Sequence, residues 1–135
     1  MSRIRGADTK LEIVVRHALH AQGLRYRLGG AGLPGRPDLV LPRHATVLFV
    51  NGCFWHGHDC HLFRLPKTRP DFWRAKIESN RLRDARVDAQ LIAMGWRSMH
   101  LWECELRGET EQRKRMRLQQ LGRDIVNGAA EKSEP

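Results

Sequence analysis

Apolar positions along this chain switch between two periods, and the switches mark out an order of elements. Leu11, Val14, Val15, Ala18 and Leu19 recur at helical spacing and predict a helix from about Thr9 to Ala21, stopped by Gly23. Thr9-Lys-Leu-Glu12 has the form of a capping box at its start. Leu24 to Leu28 is a short strand candidate, and the Gly29-Gly-Ala-Gly32 and Pro34-Gly35 steps mark a loop. Pro37 to Leu41 predicts a second strand. Pro42 to Ala45 forms a turn, and the β-branched run Thr46 to Val50 returns as an antiparallel hairpin partner. Phe72, Trp73, Ile77, Leu82, Val87, Leu91 and Ile92 belong to a long helix from Asp71 to about Met94, with Gly95 at its C′ position. Trp96 to Trp102 predicts a fourth strand. A charged last helix spans about Glu109 to Val126, and Asn127-Gly128 ends it. Helices interspersed among strands imply an α/β fold with a mixed sheet.

Length and composition narrow this picture. At 135 residues, 41% of them hydrophobic, the chain is expected to be one domain spanning 1–135, folded over approximately 5–128, with a disordered tail from Ala129. No apolar run approaches the roughly 18 residues of a membrane span, and no apolar segment follows the basic start, so neither a membrane anchor nor a secretory signal is expected. Three cysteines cannot all pair, which favours a reducing cytoplasmic compartment with thiols free or bound to metal. The formal charge of +9 points to a polyanionic partner, most often nucleic acid.

Candidate chemistry concentrates just after the third strand. Between Cys53 and His61 lie two of the three cysteines and three of the seven histidines, with Trp55 among them. Cys53, His58 and Cys60, joined by Cys104 just past the fourth strand, make a Cys₃His set suited to a closed tetrahedral zinc site. His56 and His61 compete as ligands on spacing alone. Asp38 follows Pro37 at the start of an apolar strand, where it is either a turn cap or a Mg²⁺ ligand. His56, if not bound to zinc, is placed to act as a general base toward a phosphodiester. Glu12 fits the capping box and Asp84 an exposed, mixed-charge helix face, so spacing alone assigns neither a catalytic role. Phe54 and Trp55 sit in a polar loop, a setting that favours exposed aromatics over core packing.

Leu33-Pro-Gly-Arg-Pro-Asp38, Gly52-Cys-Phe-Trp-His56, His58-x-Cys60, Thr68-Arg69 with Phe72-Trp73, and Gly95-Trp96 with Trp102-Glu-Cys104 occur in one order. With these motifs the chain resembles the very short patch repair (Vsr-type) endonucleases over about Arg5 to Gly108. The resemblance implies a restriction-endonuclease-like fold, a mixed central sheet flanked by helices. It implies a Mg²⁺-dependent, strand-specific nick on the 5′ side of the thymine in T:G mismatches left by deamination of 5-methylcytosine. Asp38 matches a Mg²⁺ ligand, and Val50 a position whose backbone carbonyl is one. Two Mg²⁺ ions are expected. His56 matches a general base, and Glu12 and Asp84 match acids that hold metal-bound waters or orient a histidine. Cys53, His58, Cys60 and Cys104 match the ligands of one structural Zn²⁺. Phe54, Trp55 and Trp73 match aromatics that wedge into the base stack beside the mismatch, DNA-binding residues that contact the duplex directly.

The resemblance has departures. Asn51 stands where better-known members carry a second histidine, and an amide orients a water or phosphate but does not exchange protons at neutral pH. Eleven residues precede Glu12, so the family's N-terminal arm is expected to be largely missing. The expected partners are mismatched double-stranded DNA and mismatch-repair proteins. The expected state is a monomer acting at the nucleoid in the cytoplasm. Two alternatives remain open on sequence: a related nuclease for another DNA structure, and a zinc-stabilised DNA-binding module with little catalysis.

Overall fold

In a computed structural model that describes residues 5–30, 32–53 and 65–132, the elements follow the expected order. They are α1 (Arg5–Ala21), β1 (Arg27–Leu28), β2 (Leu39–Leu41), β3 (Thr46–Asn51), α2 (Pro70–Ala93), β4 (Arg97–Trp102) and α3 (Glu111–Lys132). The strands form one mixed sheet in the order β1-β2-β3-β4. β2 and β3 are the expected antiparallel hairpin, in register Leu39↔Leu48 and Leu41↔Thr46. β4 lies parallel to β3 along its whole length, from Thr46↔Arg97 to Asn51↔Trp102. Helix α2 is the crossover that parallel pairing requires.

Period-two alternation gives each sheet face its own helices. Leu39, Leu41, Leu48, Val50 and Leu101 pack with Val15 and Leu19 of α1 and Leu118, Leu121 and Ile125 of α3. Val40, Val47 and Phe49 face Val87 and Leu91 of α2 on the other side. Each fully buried aliphatic side chain contributes roughly 1.5–3 kcal/mol, so the face between α1 and α3 carries most of the core.

Several boundaries differ from expectation. α1 starts at Arg5, about a turn before the Thr9 capping box; the added stretch holds no proline, and its Gly6 weakens the helix without forcing a stop. β1 shrinks to Arg27–Leu28, where it pairs with only the first two residues of β2. The Pro42 turn is a 3₁₀ helix, Pro42–His44. α3 runs through Asn127-Gly128 to Lys132, so residues 129–132 are helical rather than a disordered tail. A single glycine weakens a helix by about 1 kcal/mol without forcing it to stop. In α2 the apolar count was misleading: Phe72 (47% exposed), Leu82 (58%) and Ile92 (62%) face outward. The inward stripe is instead Ile77, Val87 and Leu91 with Asp84 and Asp88 between them, all buried or half-buried. Asp84 therefore does not lie on an exposed mixed-charge face.

Two contacts set how α2 lies against the sheet. The Trp96 amide donates to the Leu91 carbonyl at 2.9 Å, which closes the far end of α2 beside the start of β4. The N-terminus of α2 therefore points toward the end of the sheet where β3 and β4 finish. The loop entering β2 is also held against α2. Gly35 has φ of +73°, and a β-carbon there would lie 2.5 Å from a methyl group of Val87. Only glycine fits both constraints without a shift.

Candidate active site

The site begins at the end of β3, where the sheet runs out of ordinary partners. The β2–β3 pairing ends at Leu39↔Leu48, and before β2 the Pro37 carbonyl accepts from the Gly30 amide at 2.8 Å and the Asp38 carbonyl from the Gly29 amide at 3.3 Å, both on the β1 side. In an antiparallel pair of this kind, a residue's N–H and C=O point to the same neighbour. Pro37 and Asp38 thus turn their carbonyls away from β3. The Val50 amide is taken instead by a side chain: it donates to Asp38 Oδ2 at 2.7 Å. The carboxylate of Asp38 and the peptide of Val50 thus meet at one corner of the sheet. Carboxylate and carbonyl oxygens are the hard donors that suit Mg²⁺.

Parallel pairing produces the second feature. Asn51 and Trp102 are partners at the ends of β3 and β4, and Cys53 and Cys104 each follow their strand by the same offset. The Cys104 amide accordingly donates to Cys53 Sγ at 3.4 Å. Cys53 is fully buried and Cys104 half-buried. Cys104 sits in a 3₁₀ turn, Glu103–Glu105. Glu105 pins that turn by accepting from the Trp102 amide at 2.7 Å with one oxygen and from the Arg117 guanidinium of α3 with the other. Two cysteines therefore lie together, and sulfur donors suit Zn²⁺. The other two expected zinc ligands, His58 and Cys60, lie in 54–64, outside the described residues. So do His56, Phe54 and Trp55. Among the described residues alone, no group of three or more His, Cys, Asp or Glu side chains is arranged to hold a metal ion.

The remaining candidates are dispersed. Asp84 lies on the inward stripe of α2, one turn N-terminal of Asp88 and so nearer the open end of the sheet. Glu12 stands on α1, across the sheet from α2, half-buried and 3.9 Å from Arg16. Trp73 is half-buried and meets Phe72 edge-on, with centroids 5.2 Å apart. The Arg69 guanidinium lies 4.5 Å over the Phe72 ring. Phe72 precedes Asp88 by about 24 Å along the helix axis at ~1.5 Å per residue, so the first turns of α2 overhang the end of the sheet. Arg74, Arg81, Arg83 and Arg86 are all exposed, spread around α2 rather than along one side. Sequence reasoning chose Trp73 there, but Phe72 is the more exposed ring.

Asn51 is 5% exposed. Its Nδ2 lies 2.7 Å from His100 Nδ1. His100 Nε2 is 2.9 Å from Asp88 Oδ1, which also accepts from Ser98 Oγ at 2.6 Å. Sequence reasoning passed over His100, Asp88 and Ser98. Alternation in β4 carried the missing signal, since Ser98 and His100 share a face that must meet α2, and polar groups there need a polar partner.

Comparison with known proteins gives a consistent set of relatives. The family model for the DNA mismatch endonuclease Vsr matches residues 1–62. The type II nicking enzyme V.XorIIP of Xanthomonas oryzae is 52% identical over 106 residues, 78% of each chain. The DNA mismatch endonuclease Vsr of Escherichia coli is 46% identical over 108 residues, 80% of this chain and 69% of the relative. The type II nicking enzyme V.NmeAIP of Neisseria meningitidis is 41% identical over 125 residues, 93% of this chain and 88% of the relative.

Proposed function

This chain belongs to the Vsr family of DNA mismatch endonucleases, and from that premise we propose that it nicks one strand of DNA on the 5′ side of the thymine in T:G mismatches. It is a DNA endonuclease, a phosphodiester hydrolase, with a mixed α/β fold consistent with the restriction-endonuclease-like class. The observation that carries the finer reading is the corner where the Asp38 carboxylate captures the Val50 amide.

Asp38 and the Val50 carbonyl would hold Mg²⁺. Bound there, Mg²⁺ would neutralise charge on the scissile phosphate, and a second ion would stabilise the leaving 3′-oxygen. His56 takes the proton of the attacking water as general base. Asn51, buried beside this corner, orients the water or a phosphate oxygen through its carboxamide. Glu12 and Asp84 serve as outer acids that anchor waters or steer His56. Cys53, His58, Cys60 and Cys104 hold one Zn²⁺, which fixes the loop carrying His56 and does no chemistry. Phe54 and Trp55 of that loop, with Trp73 at the head of α2, enter the base stack beside the mismatch. A wobble pair stacks less well than a normal pair, so unstacking there costs less of the usual few kcal/mol. Exposed basic side chains of α2 neutralise backbone phosphates. In this reading the chain is one domain, working as a monomer in the cytoplasm with mismatch-repair proteins. No helix among the described residues is long and apolar enough to cross a membrane.

A second reading rests on two relatives named as type II nicking enzymes, and it assigns the same corner to nicking in another DNA context. A panel separates the two. Purified protein with Mg²⁺ is expected to nick a T:G duplex and leave T:A, C:G and branched duplexes intact. Equal or faster cutting of a substrate without T:G would overturn the mismatch reading.

A further inference from the structure

We propose that Asp88 and His100 are positioning residues for the endonuclease reaction, fixing the Asn51 carboxamide with its oxygen turned toward the Asp38–Val50 corner. The proposal rests on the reading of that corner as the reaction site.

The orientation follows from the placement of protons along three side chains. An ionised carboxylate only accepts hydrogen bonds. Asp88 holds His100 Nε2 at 2.9 Å and 3.1 Å through its two oxygens, so Nε2 carries the proton. In a neutral imidazole the other nitrogen is then an acceptor. His100 Nδ1 lies 2.7 Å from Asn51, so the amide nitrogen of Asn51 must be the group facing it. The carboxamide is planar, and its oxygen leaves on the opposite branch, away from the imidazole. Asn51 shares its sheet face with Phe49 and directly follows Val50, whose amide the Asp38 carboxylate holds. The oxygen is therefore a fixed acceptor one residue along β3 from the Val50 peptide, suited to hold one hydrogen of the attacking water.

The chain is held at each step. Ser98 Oγ donates to Asp88 Oδ1 at 2.6 Å and fixes the carboxylate on α2. The His100 ring stacks on Phe49, with centroids 5.0 Å apart and planes 14° from parallel. Its other stacking neighbour is Trp102, with centroids 6.2 Å apart. Ring rotation is thus blocked by packing as well as by hydrogen bonds. A buried amide can present either its oxygen or its nitrogen to a substrate, and these two ends have opposite effects on a water nucleophile. The Asp88–His100 pair removes the choice. Partners that orient a catalytic group from behind are typically worth 10–100-fold in activity.

The competing account is a tie between the sheet and α2 with no bearing on chemistry. His100→Phe distinguishes them, because phenylalanine keeps the stack on Phe49 and Trp102 and loses both hydrogen bonds. The full chain is assayed in single turnover on a T:G duplex with Mg²⁺, alongside duplex binding and thermal unfolding. His100→Phe and Asp88→Asn are expected to lower the nicking rate by roughly 10–100-fold at unchanged duplex affinity. Adding His100→Phe to Asn51→Ala is expected to cost nothing further, since the group being positioned is gone. Wild-type nicking by folded His100→Phe, or losses that multiply in the double variant, would overturn the proposal. A spectrum keeps the test independent of activity. In wild-type protein the ¹⁵N signals of His100 should report a protonated Nε2 and a bare Nδ1, and the Asn51 side-chain amide signals should shift in Asp88→Asn. If wild type fails to nick the T:G duplex, the proposed function fails and these spectra alone decide. An Nδ1–H tautomer, or Asn51 signals indifferent to Asp88→Asn, would overturn the positioning role.

Discussion

Asp38 and Cys53 lie on either side of the end of β3, and each is fixed by a backbone amide: Asp38 takes the Val50 N–H and Cys53 takes the Cys104 N–H. For the metal sites proposed above, the sheet's geometry would set these donor atoms in advance and lower the ordering cost of binding an ion. For the sulfur pair this gives a direct expectation. Cys53→Ser and Cys104→Ser should each cut bound zinc, measured by elemental analysis, from about one per chain toward zero and lower the melting temperature, as chelation does for structural zinc sites. Full zinc content in both variants would remove these residues from the ligand set. At this scale the sequence was legible where a residue type has few uses. Cys104 pointed to Cys53 because all three cysteines could be used together, and the structure brings those two into contact. His100 was not legible, because its meaning depends on Asp88 and Asn51, far away along the chain and adjacent only after α2 folds back.

Elements were read most accurately where the pattern had one period and clear stops. The β2–β3 hairpin and the long α2 came out within a residue or two at most ends, and Gly95 ends α2 with φ of +94° as a C′ glycine should. The face of α2 was misread. Its apolar residues surround the helix, and Asp84 and Asp88 occupy the inward stripe because they serve the sheet's polar end rather than the core. The ends of α1 and α3 were misread for a different reason, since Thr-x-x-Glu and Asn-Gly permit a boundary without requiring one. The close approach of the β2 entry loop to α2 supplies a test at this scale. Gly35→Ala meets both a positive φ and the Val87 methyl, so it should destabilise by about 1–3 kcal/mol in denaturant unfolding. Because that loop leads into Asp38, nicking should fall with stability. An unchanged unfolding midpoint would mean that the loop does not press on α2 in solution.

Across the whole molecule, function gathers at one end of a mixed sheet. The Asp38–Val50 corner, the paired thiols, the buried Asn51 and the overhanging head of α2 all lie where β3 and β4 finish. A net charge of +9 sets the long-range attraction to DNA. If six to ten phosphates are contacted, duplex affinity should fall roughly 10³–10⁵-fold between about 50 and 200 mM salt, measurable by fluorescence anisotropy. A flat salt response would mean that the chain's basic side chains do not face the backbone. The central claim is that Asp38 anchors mismatch-directed strand cleavage, and end-labelled T:G duplex on a denaturing gel tests it most directly. With Mg²⁺, wild type is expected to give one product, cut on the 5′ side of the mismatched thymine. Asp38→Ala should bind the duplex as well and cut it roughly 10²–10³-fold more slowly, the size of several kcal/mol of lost charge stabilisation. Cleavage at the wild-type rate and position by Asp38→Ala would contradict the account.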